Sequence, residues 1–552
     1  MMKIFIVGGV AGGASCAARL RRLSETNEIT IIDRGSHVSF ANCGLPYYVG
    51  DVIDDESKLL VATPALFKDR FNIDVRLENE VLKIDRHNKT IEIRDLKTGK
   101  VYPELYDALV LSPGAAPIRP PLQGIDLPGI FALRTIPDSR KIKSWIQENK
   151  VKSAAIIGGG FIGLEMAENL AGLGIQVEVL EMLPQVMPPL DAEMAELIHQ
   201  ELRQKGVHIH LGDGVAGFEK SDQNSLIVKT QAEKKHKVDM VILSIGVRPE
   251  SKLAIDAGLE IGKRGGIQVD EYLQTSDPHI WAIGDAVEVC DFLTREKGLI
   301  PLAGPANRQG RIAADNIIGR KSVFRGVQAT AVCKVFDLTV ALTGLSEKSL
   351  VRSGRPFKKV YLHPGHQASY YPDANPLHFK LLFSPEGGRI LGAQVIGKEG
   401  AEKRIDVLAM AIQKGATVFD LEEAELCYAP QFGSAKDPIN MAGMIASNIL
   451  RGDCPMLSWE EIQDKNVFLL DVRTKEEFAE GHIQGSKNIP LNELRSQLEG
   501  LPKDQQIVAF CSAGQRGYFA TLMLREHGFD AINLIGGLQT YKMMFPTICL
   551  MK

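Results

Sequence analysis

The sequence predicts an α/β protein of several domains, and three observations carry that expectation. Residues 3–33 and 154–181 share one grammar of strand, glycine turn, helix and second strand closed by an acid. From about residue 326 the chain changes to alternating strand-like stretches followed by a helix (RIDVLAMAIQ). Beyond a linker at RGDCPMLSW, short apolar strands flank a CSAGQR loop in a separate α/β module. A length of 552 residues accommodates such an arrangement. Apolar residues at 45% and charged residues at 24% are ordinary globular usage and exclude a disordered or fibrous chain. Lys plus Arg total 64 against 68 for Asp plus Glu, so no global field draws the protein to nucleic acid or an anionic membrane. Eight cysteines without a CxxC pair argue against a disulfide framework or a zinc ribbon, and no metal site is expected. No segment offers about twenty uncharged apolar residues, which points to a cytoplasmic protein with reduced thiols. The N-terminal apolar run reads as a strand and glycine turn rather than a leader, because the following helix carries Arg19, Arg21 and Arg22.

The first βαβ unit runs from the strand at Ile4–Val7 through GGVAGG (Gly8 to Gly13) and a helix to ITIID, ending at Asp33. The second runs from AAIIG through GGGFIG (Gly158 to Gly163) and a helix to VEVLE, ending at Glu181. This is the Rossmann-like dinucleotide fingerprint. Glycines let the backbone approach a pyrophosphate, the helix N-terminus supplies donors and positive dipole, and the closing carboxylate accepts from ribose hydroxyls. In the first unit Val10 takes the middle glycine position, and Gly9 and Gly12 loosen the turn. The second is regular at Gly158, Gly160 and Gly163. Glu181 repels a 2′-phosphate, so NADH is expected ahead of NADPH. Two dinucleotides on one chain imply electron transfer between them.

The stretch LQTSDPHIWAIGDAVE, with Asp285 after an apolar strand, resembles the second flavin motif of the two-dinucleotide-binding flavoprotein reductases, the pyridine nucleotide-disulfide oxidoreductase superfamily. ALVLSPGAAP and LSIGVRPE resemble its crossover segments. The resemblance implies a flavin domain split into 1–112 and 248–325, a nicotinamide domain at 113–247 and an α+β dimerisation domain at 326–446. It places FAD on Gly8, Gly12, Gly13, Asp33, Arg34, Asn42, Ser112, Gly114, Asp285, Pro301 and Ala306. It places NAD on Gly158, Gly160, Ile162, Gly163, Glu181 and Gly246. After a linker at 447–457, the order DVR, EEF, GHI, NIP and CSAGQR over 458–552 resembles a rhodanese domain.

Cys43 stands in SFANCGLPYYVG, a non-periodic polar loop that suits a reactive thiol better than a packed one. Disulfide reductases of the superfamily carry a cysteine pair here, but Tyr48 occupies the second position. A solitary redox cysteine needs an external sulfur. SFANCG resembles coenzyme A disulfide reductase and its relatives, which implies coenzyme A as that partner, held by Arg19, Arg22, Ser39, Asn42, Cys43 and Lys436. The same resemblance implies that Tyr428, with Tyr370 or its neighbour Tyr371, reaches the redox cysteine from a second subunit of a homodimer. Cys511 opens a loop between a strand and a helix, where backbone N–H groups and the helix dipole stabilise an anionic sulfur. The rhodanese resemblance implies that it carries a persulfide, with Arg516 closing the loop and holding anions. The remaining cysteines, Cys16, Cys290, Cys333, Cys427, Cys454 and Cys549, are expected in packing or at the surface.

The expected activity is that of an FAD-containing NADH-dependent reductase of coenzyme A disulfide, coenzyme A persulfide or polysulfide. Electrons run from NADH through FAD to a mixed disulfide between Cys43 and coenzyme A, while Cys511 relays sulfane sulfur. One alternative is an NADH oxidase or peroxidase cycling Cys43 through sulfenic acid, although GGVAGG lacks the histidine such peroxidases carry. Another is a sulfurtransferase with a regulatory reductase part.

Overall fold

The computed structural model describes residues 1–221, 225–462, 465–546 and 551, so Cys549 lies outside the described residues. Two compact units emerge, Met1–Val186 with Gly206–Ala329, and Met187–Lys205 with Thr330–Lys552.

The first unit contains two five-stranded parallel sheets. One runs, in spatial order, Ile280–Ala282, Ala108–Leu111, Lys3–Val7, Glu28–Asp33, Asp74–Leu77. The other runs His208–Leu211, Gln176–Glu181, Ser153–Ile157, Met240–Leu243, Ile130–Ala132. Strands covered on both faces read as apolar runs, and Ile4, Phe5, Ile6, Ala154, Ala155 and Ile156 are all fully buried. In each sheet the strand before the glycine turn is central, with neighbours arriving on both sides. That is the switch point at which open parallel sheets bind ligands. The late strand Ile280–Ala282 returns to the first sheet beside Ala108–Leu111, so residues far apart in sequence build one domain. The crossover segments pair with each other antiparallel, Val247 opposite Pro117.

Helix Ala11–Leu23 lies against helix Ala303–Ile317 at backbone contact: a Cβ on Gly310 would stand 2.3 Å from the Gly12 carbonyl oxygen. Further along the same pair of helices, Arg19 binds Asp315 at 2.7 Å.

The second unit contains an antiparallel sheet in the order Ala331–Val335, Leu338–Gly344, Ile390–Gly397, Leu377–Phe383, Lys358–Leu362. The stretch VFDLTVALTGL contains its first turn, where Phe336 takes φ +52°. Lys380 is fully buried and binds Asp191, Glu193 and Glu347 at 2.9, 2.6 and 2.6 Å. The Tyr361 hydroxyl also donates to Glu193 (2.9 Å). A buried ammonium demands such compensation, and this one holds residues 187–205, although their neighbours in sequence lie in the first unit.

The C-terminal module of the same unit has a parallel sheet in the order Met456–Leu457, Ala531–Leu534, Ile507–Phe510, Phe468–Asp471, Lys487–Asn488. It docks on the edge strand Lys358–Leu362 and its neighbourhood. A Cβ on Gly536 would stand 2.8 Å from that of Tyr361, and His363 Nε2 meets Thr540 Oγ1 at 2.8 Å. His363 Nδ1 in turn meets His378 Nδ1 at 3.0 Å. Among the described residues no helix is long and apolar enough to cross a membrane.

Candidate active site

The two glycine turns are tied in the same way. Asp33 accepts from the Gly9 N–H (2.8 Å) and the Gly35 N–H (2.7 Å). Glu181 accepts from the Gly159 N–H and the Leu183 N–H, both at 2.8 Å. Each closing acid therefore shapes its own turn. Gly8 and Gly158 adopt φ +95° and +103°, and their Cβ positions are filled by the carbonyls of Ser112 and Ser244. Gly160 has no atom within 4 Å of a Cβ position, so the middle of the second turn is open. Ile162 stands exposed beside it, and Gly246 turns at φ +106°.

Around the first turn, Ser112 Oγ lies 3.2 Å from the Cβ position of Gly12, Ala306 is buried, and Pro301 is exposed ahead of its helix. Gly114 takes φ +74°. Asp285 follows Gly284 (φ +80°) in a short 3₁₀ turn. Burial raises its carboxyl, with Arg134 opposing, and among the described residues it takes no hydrogen bond. An orphaned carboxylate beside a tied glycine turn fits the polyol of a flavin dinucleotide, and the open turn at Gly160 fits a pyrophosphate.

Cys43 sits exposed in the 3₁₀ turn Asn42–Gly44, which leads into helix Leu45–Val49. Loss of water pushes its thiol up, and the charges of Glu165 and Asp285 push it further. Glu165 itself rises to about 7 through burial and the neighbouring Glu168. Tyr48 carries the Lys143 ammonium 4.2 Å from its ring centroid. Asn42 donates weakly to the Arg134 carbonyl (3.4 Å), and Ser39 is held at φ +48°, a conformation a serine adopts only when its surroundings impose it. In the second unit the hydroxyls of Tyr370 and Tyr428 meet at 2.6 Å, with the residues 73% and 49% exposed. The hydrogen bond singles out Tyr370 over Tyr371 as the partner of Tyr428.

Cys511 follows strand Ile507–Phe510 and is 2% exposed. Its Sγ accepts from the Gly514 N–H at 3.2 Å. Gly514 has φ +100° and starts helix Gln515–Glu526, so Arg516 lies in the first helical turn rather than closing a six-residue loop. Both terminal nitrogens of Arg516 bind Glu477, at 2.6 and 2.7 Å, and this pair pulls the Glu477 carboxyl down to about 2. Glu477, three residues beyond its helix cap Thr474, thus holds the guanidinium expected to bind anions, and the same guanidinium also interacts with the Cys511 sulfur.

The other expected cations fall into two groups, paired and exposed. Arg19 is committed to Asp315, whereas Arg22 on the same helix and Lys436 are exposed. Arg34 binds Glu250, which also receives Arg134 at 2.8 Å. Sequence reasoning missed Glu165, Arg134 and Glu477. Glu165 left a signal: with Glu168 it is one of the two charges in the helix FIGLEMAENLAG.

Two dinucleotide turns, an exposed thiol with no second cysteine in its own loop and a further thiol at a helix start define a two-electron sulfur oxidoreductase joined to a sulfur carrier. The pyridine nucleotide-disulphide oxidoreductase pattern matches residues 2–310, its dimerisation domain matches 330–437, and a rhodanese-like domain matches 458–544. The chain belongs to the pyridine nucleotide-disulphide oxidoreductase family. It is similar to the reduced CoADR-RHD of Bacillus anthracis (49% identity, TM-score 0.97, covering 100% of this chain and 99% of that one). It is also similar to an NAD-dependent persulfide reductase from A. fulgidus (37%, TM-score 0.92, covering 98% and 100%). Over 80% of its length it is 38% identical to an NADH oxidase of Methanocaldococcus jannaschii, with 98% of that protein covered. Over the same share it is 35% identical to a coenzyme A disulfide reductase of Staphylococcus aureus, with 99% covered.

Proposed function

We propose that the protein is an FAD-dependent, NADH-linked reductase of coenzyme A disulfide, coenzyme A persulfide or polysulfide, with a sulfane-sulfur relay at Cys511. The observation that carries the reading is the isolation of Cys43. Of the cysteines in the first unit, Cys16 is fully buried with its thiol pushed far up, and Cys290 is half-buried at the end of a different strand. The second sulfur of the redox couple therefore comes from a substrate. The names of the similar proteins from B. anthracis, A. fulgidus and S. aureus point the same way. The working division is a flavin domain at 1–112 and 248–325, a nicotinamide domain at 113–247, a dimerisation domain at 326–446 and a rhodanese domain at 458–552.

Bound FAD supplies a two-electron relay from NADH. The Cys43 thiolate attacks the coenzyme-bound sulfur of a persulfide, forming a mixed disulfide and expelling hydrosulfide; with a disulfide the leaving group is a thiolate. Two electrons and a proton then return the Cys43 thiolate and free coenzyme A thiol. Asp285 and Glu165 keep the Cys43 surroundings negative, which favours departure of an anionic sulfur. The Tyr370–Tyr428 pair, supplied by the second subunit of a homodimer, donates a proton to the departing sulfur. Arg22, Ser39, Asn42 and Lys436 contact coenzyme A, while Arg19 holds the helix that presents Arg22. Cys511 accepts sulfane sulfur as a persulfide, with the Gly514 N–H supporting the anion, and passes it to the coenzyme A thiol.

Anaerobic NADH oxidation driven by coenzyme A disulfide or persulfide tests the reading: the Cys43→Ser variant is expected to lose it while retaining FAD. Parental rates in that variant, or NADH oxidation in the parent that needs only oxygen, would favour the oxidase reading instead.

A further inference from the structure

We propose that Glu178, His210 and His236, with His208 as a fourth ligand, form a binding site for a transition-metal dication of zinc type on the nicotinamide-binding sheet. The composition gave no reason to expect one, because the ligands come from three separate strands.

Strand His208–Leu211 carries the run His-Ile-His. A strand repeats every two residues, so His208 and His210 project from one face. Its parallel register puts His208 beside Glu178 and His210 beside Leu180, so Glu178 shares that face. Strand Lys235–Val238, from the antiparallel sheet with Val215–Lys220 and Leu226–Thr230, brings His236 to the same place.

The ligand atoms converge. His236 Nδ1 lies 2.7 Å and His210 Nε2 lies 3.3 Å from one oxygen, Glu178 Oε2. The two imidazole centroids are 4.4 Å apart, with the rings inclined at 64°. Bonds of about 2.0–2.1 Å in a tetrahedral zinc site require ligand atoms about 3.3 Å apart. The three atoms lie within 4.8 Å of one another, so side-chain adjustments below an ångström admit an ion.

Two imidazoles and one carboxylate are a borderline ligand set that selects zinc-like ions over calcium or magnesium. The His236 side chain is only 9% exposed, its Nδ1 faces Glu178 and its Nε2 has no hydrogen-bond partner among the described residues. Glu178 and His210, at 27% and 29% exposed, leave the site open on one side for ion entry and for His208. The neighbouring Lys234 is turned toward Asp213, at 3.9 Å. The other acidic cluster, Asp191, Glu193 and Glu347, differs in kind, because the Lys380 ammonium already stands within it.

An ion at this place would join the edge strand, the strand ending in Glu181 and the antiparallel sheet. The test uses the full-length holoenzyme, stripped with chelator, loaded with cobalt(II) and dialysed. Stoichiometric retention, d–d bands of a nitrogen- and oxygen-ligated ion without thiolate charge transfer, and a raised melting temperature are expected. Glu178→Gln and His210→Ala, with FAD retention confirming their fold, are expected to lose all three. Failure of the parent to retain cobalt, a spectrum dominated by thiolate charge transfer, or undiminished retention in His210→Ala would each overturn the proposal.

Discussion

Burial holds the Cys43 thiol up, and charges that its own loop does not contain push it further. Glu165 arrives from the nicotinamide-side helix and Asp285 from the late flavin strand, and both oppose the thiolate. Removing one negative charge lowers the thiol pKa. Glu165→Gln, examined in a Cys511→Ala background, is therefore expected to alkylate faster at Cys43 near neutral pH, as measured by iodoacetamide labelling and peptide mass. The same carboxyl has a stability signature. Its pKa in the folded protein is about 7 against an ordinary 4.5, so the folded state holds its proton more tightly. The penalty is absent below about pH 4.5, grows as pH rises toward 7 and is full above it. Glu165→Gln should thus stabilise the protein at alkaline pH by on the order of 3 kcal/mol and leave acid stability nearly unchanged. Melting curves across that range check the sign.

At the scale of elements, the acid closing each βαβ unit braces its glycine turn, and the proposed function gives it the ribose as well. Glu181 fastens the Gly159 and Leu183 amides. Glu181→Ala should move the NADPH-to-NADH preference toward NADPH by roughly tenfold in kcat/KM, through loss of like-charge repulsion. It should also cost about 1–3 kcal/mol, because a buried turn loses its acceptor. A variant whose cofactor preference stays parental would show that Glu181 only braces the turn. The Cys511 loop depends on Gly514 at φ +100°. Gly514→Ala is expected to cost about 1–2 kcal/mol and to suppress thiosulfate-to-cyanide transfer, while coenzyme A disulfide reduction persists.

At the scale of the whole second unit, the C-terminal module is docked through buried polar groups rather than tethered by its linker alone. His363, wedged between His378 and Thr540, falls to about 3, and His378 to about 4, mainly because burial disfavours their charged forms. Both rings are neutral when packed. Below about pH 6.5 the unfolded chain takes up protons that the packed rings refuse, so stability falls steadily as pH drops from 6.5 toward 4. Thermal unfolding of the parent should show that loss, and His363→Gln should flatten it. For the relay, Cys511→Ala is expected to abolish sulfide release from thiosulfate-type donors and to leave coenzyme A disulfide reduction intact. Unchanged sulfide release would remove Cys511 from the path.

The local features were readable because they depend on near neighbours in the chain. The glycine turns, their closing acids Asp33 and Glu181, and Cys511 at a strand-to-helix junction follow from periodicity and turn chemistry, while the missing second thiol at Tyr48 was read from the family resemblance. So did the division into dinucleotide units, an antiparallel domain and a further α/β module. Ion pairing was not readable, because its partners lie far along the chain: Arg19 with Asp315, Arg34 with Glu250, Arg516 with Glu477. The same is true of the Tyr370–Tyr428 contact and of the Glu178–His210–His236 cluster. Backbone conformation and burial pattern are imposed locally, by sterics and hydrophobic periodicity, so sequence alone determines them. Which charge meets which is decided only when the sheets assemble, because electrostatic partners are chosen by distance in space and not by distance along the chain.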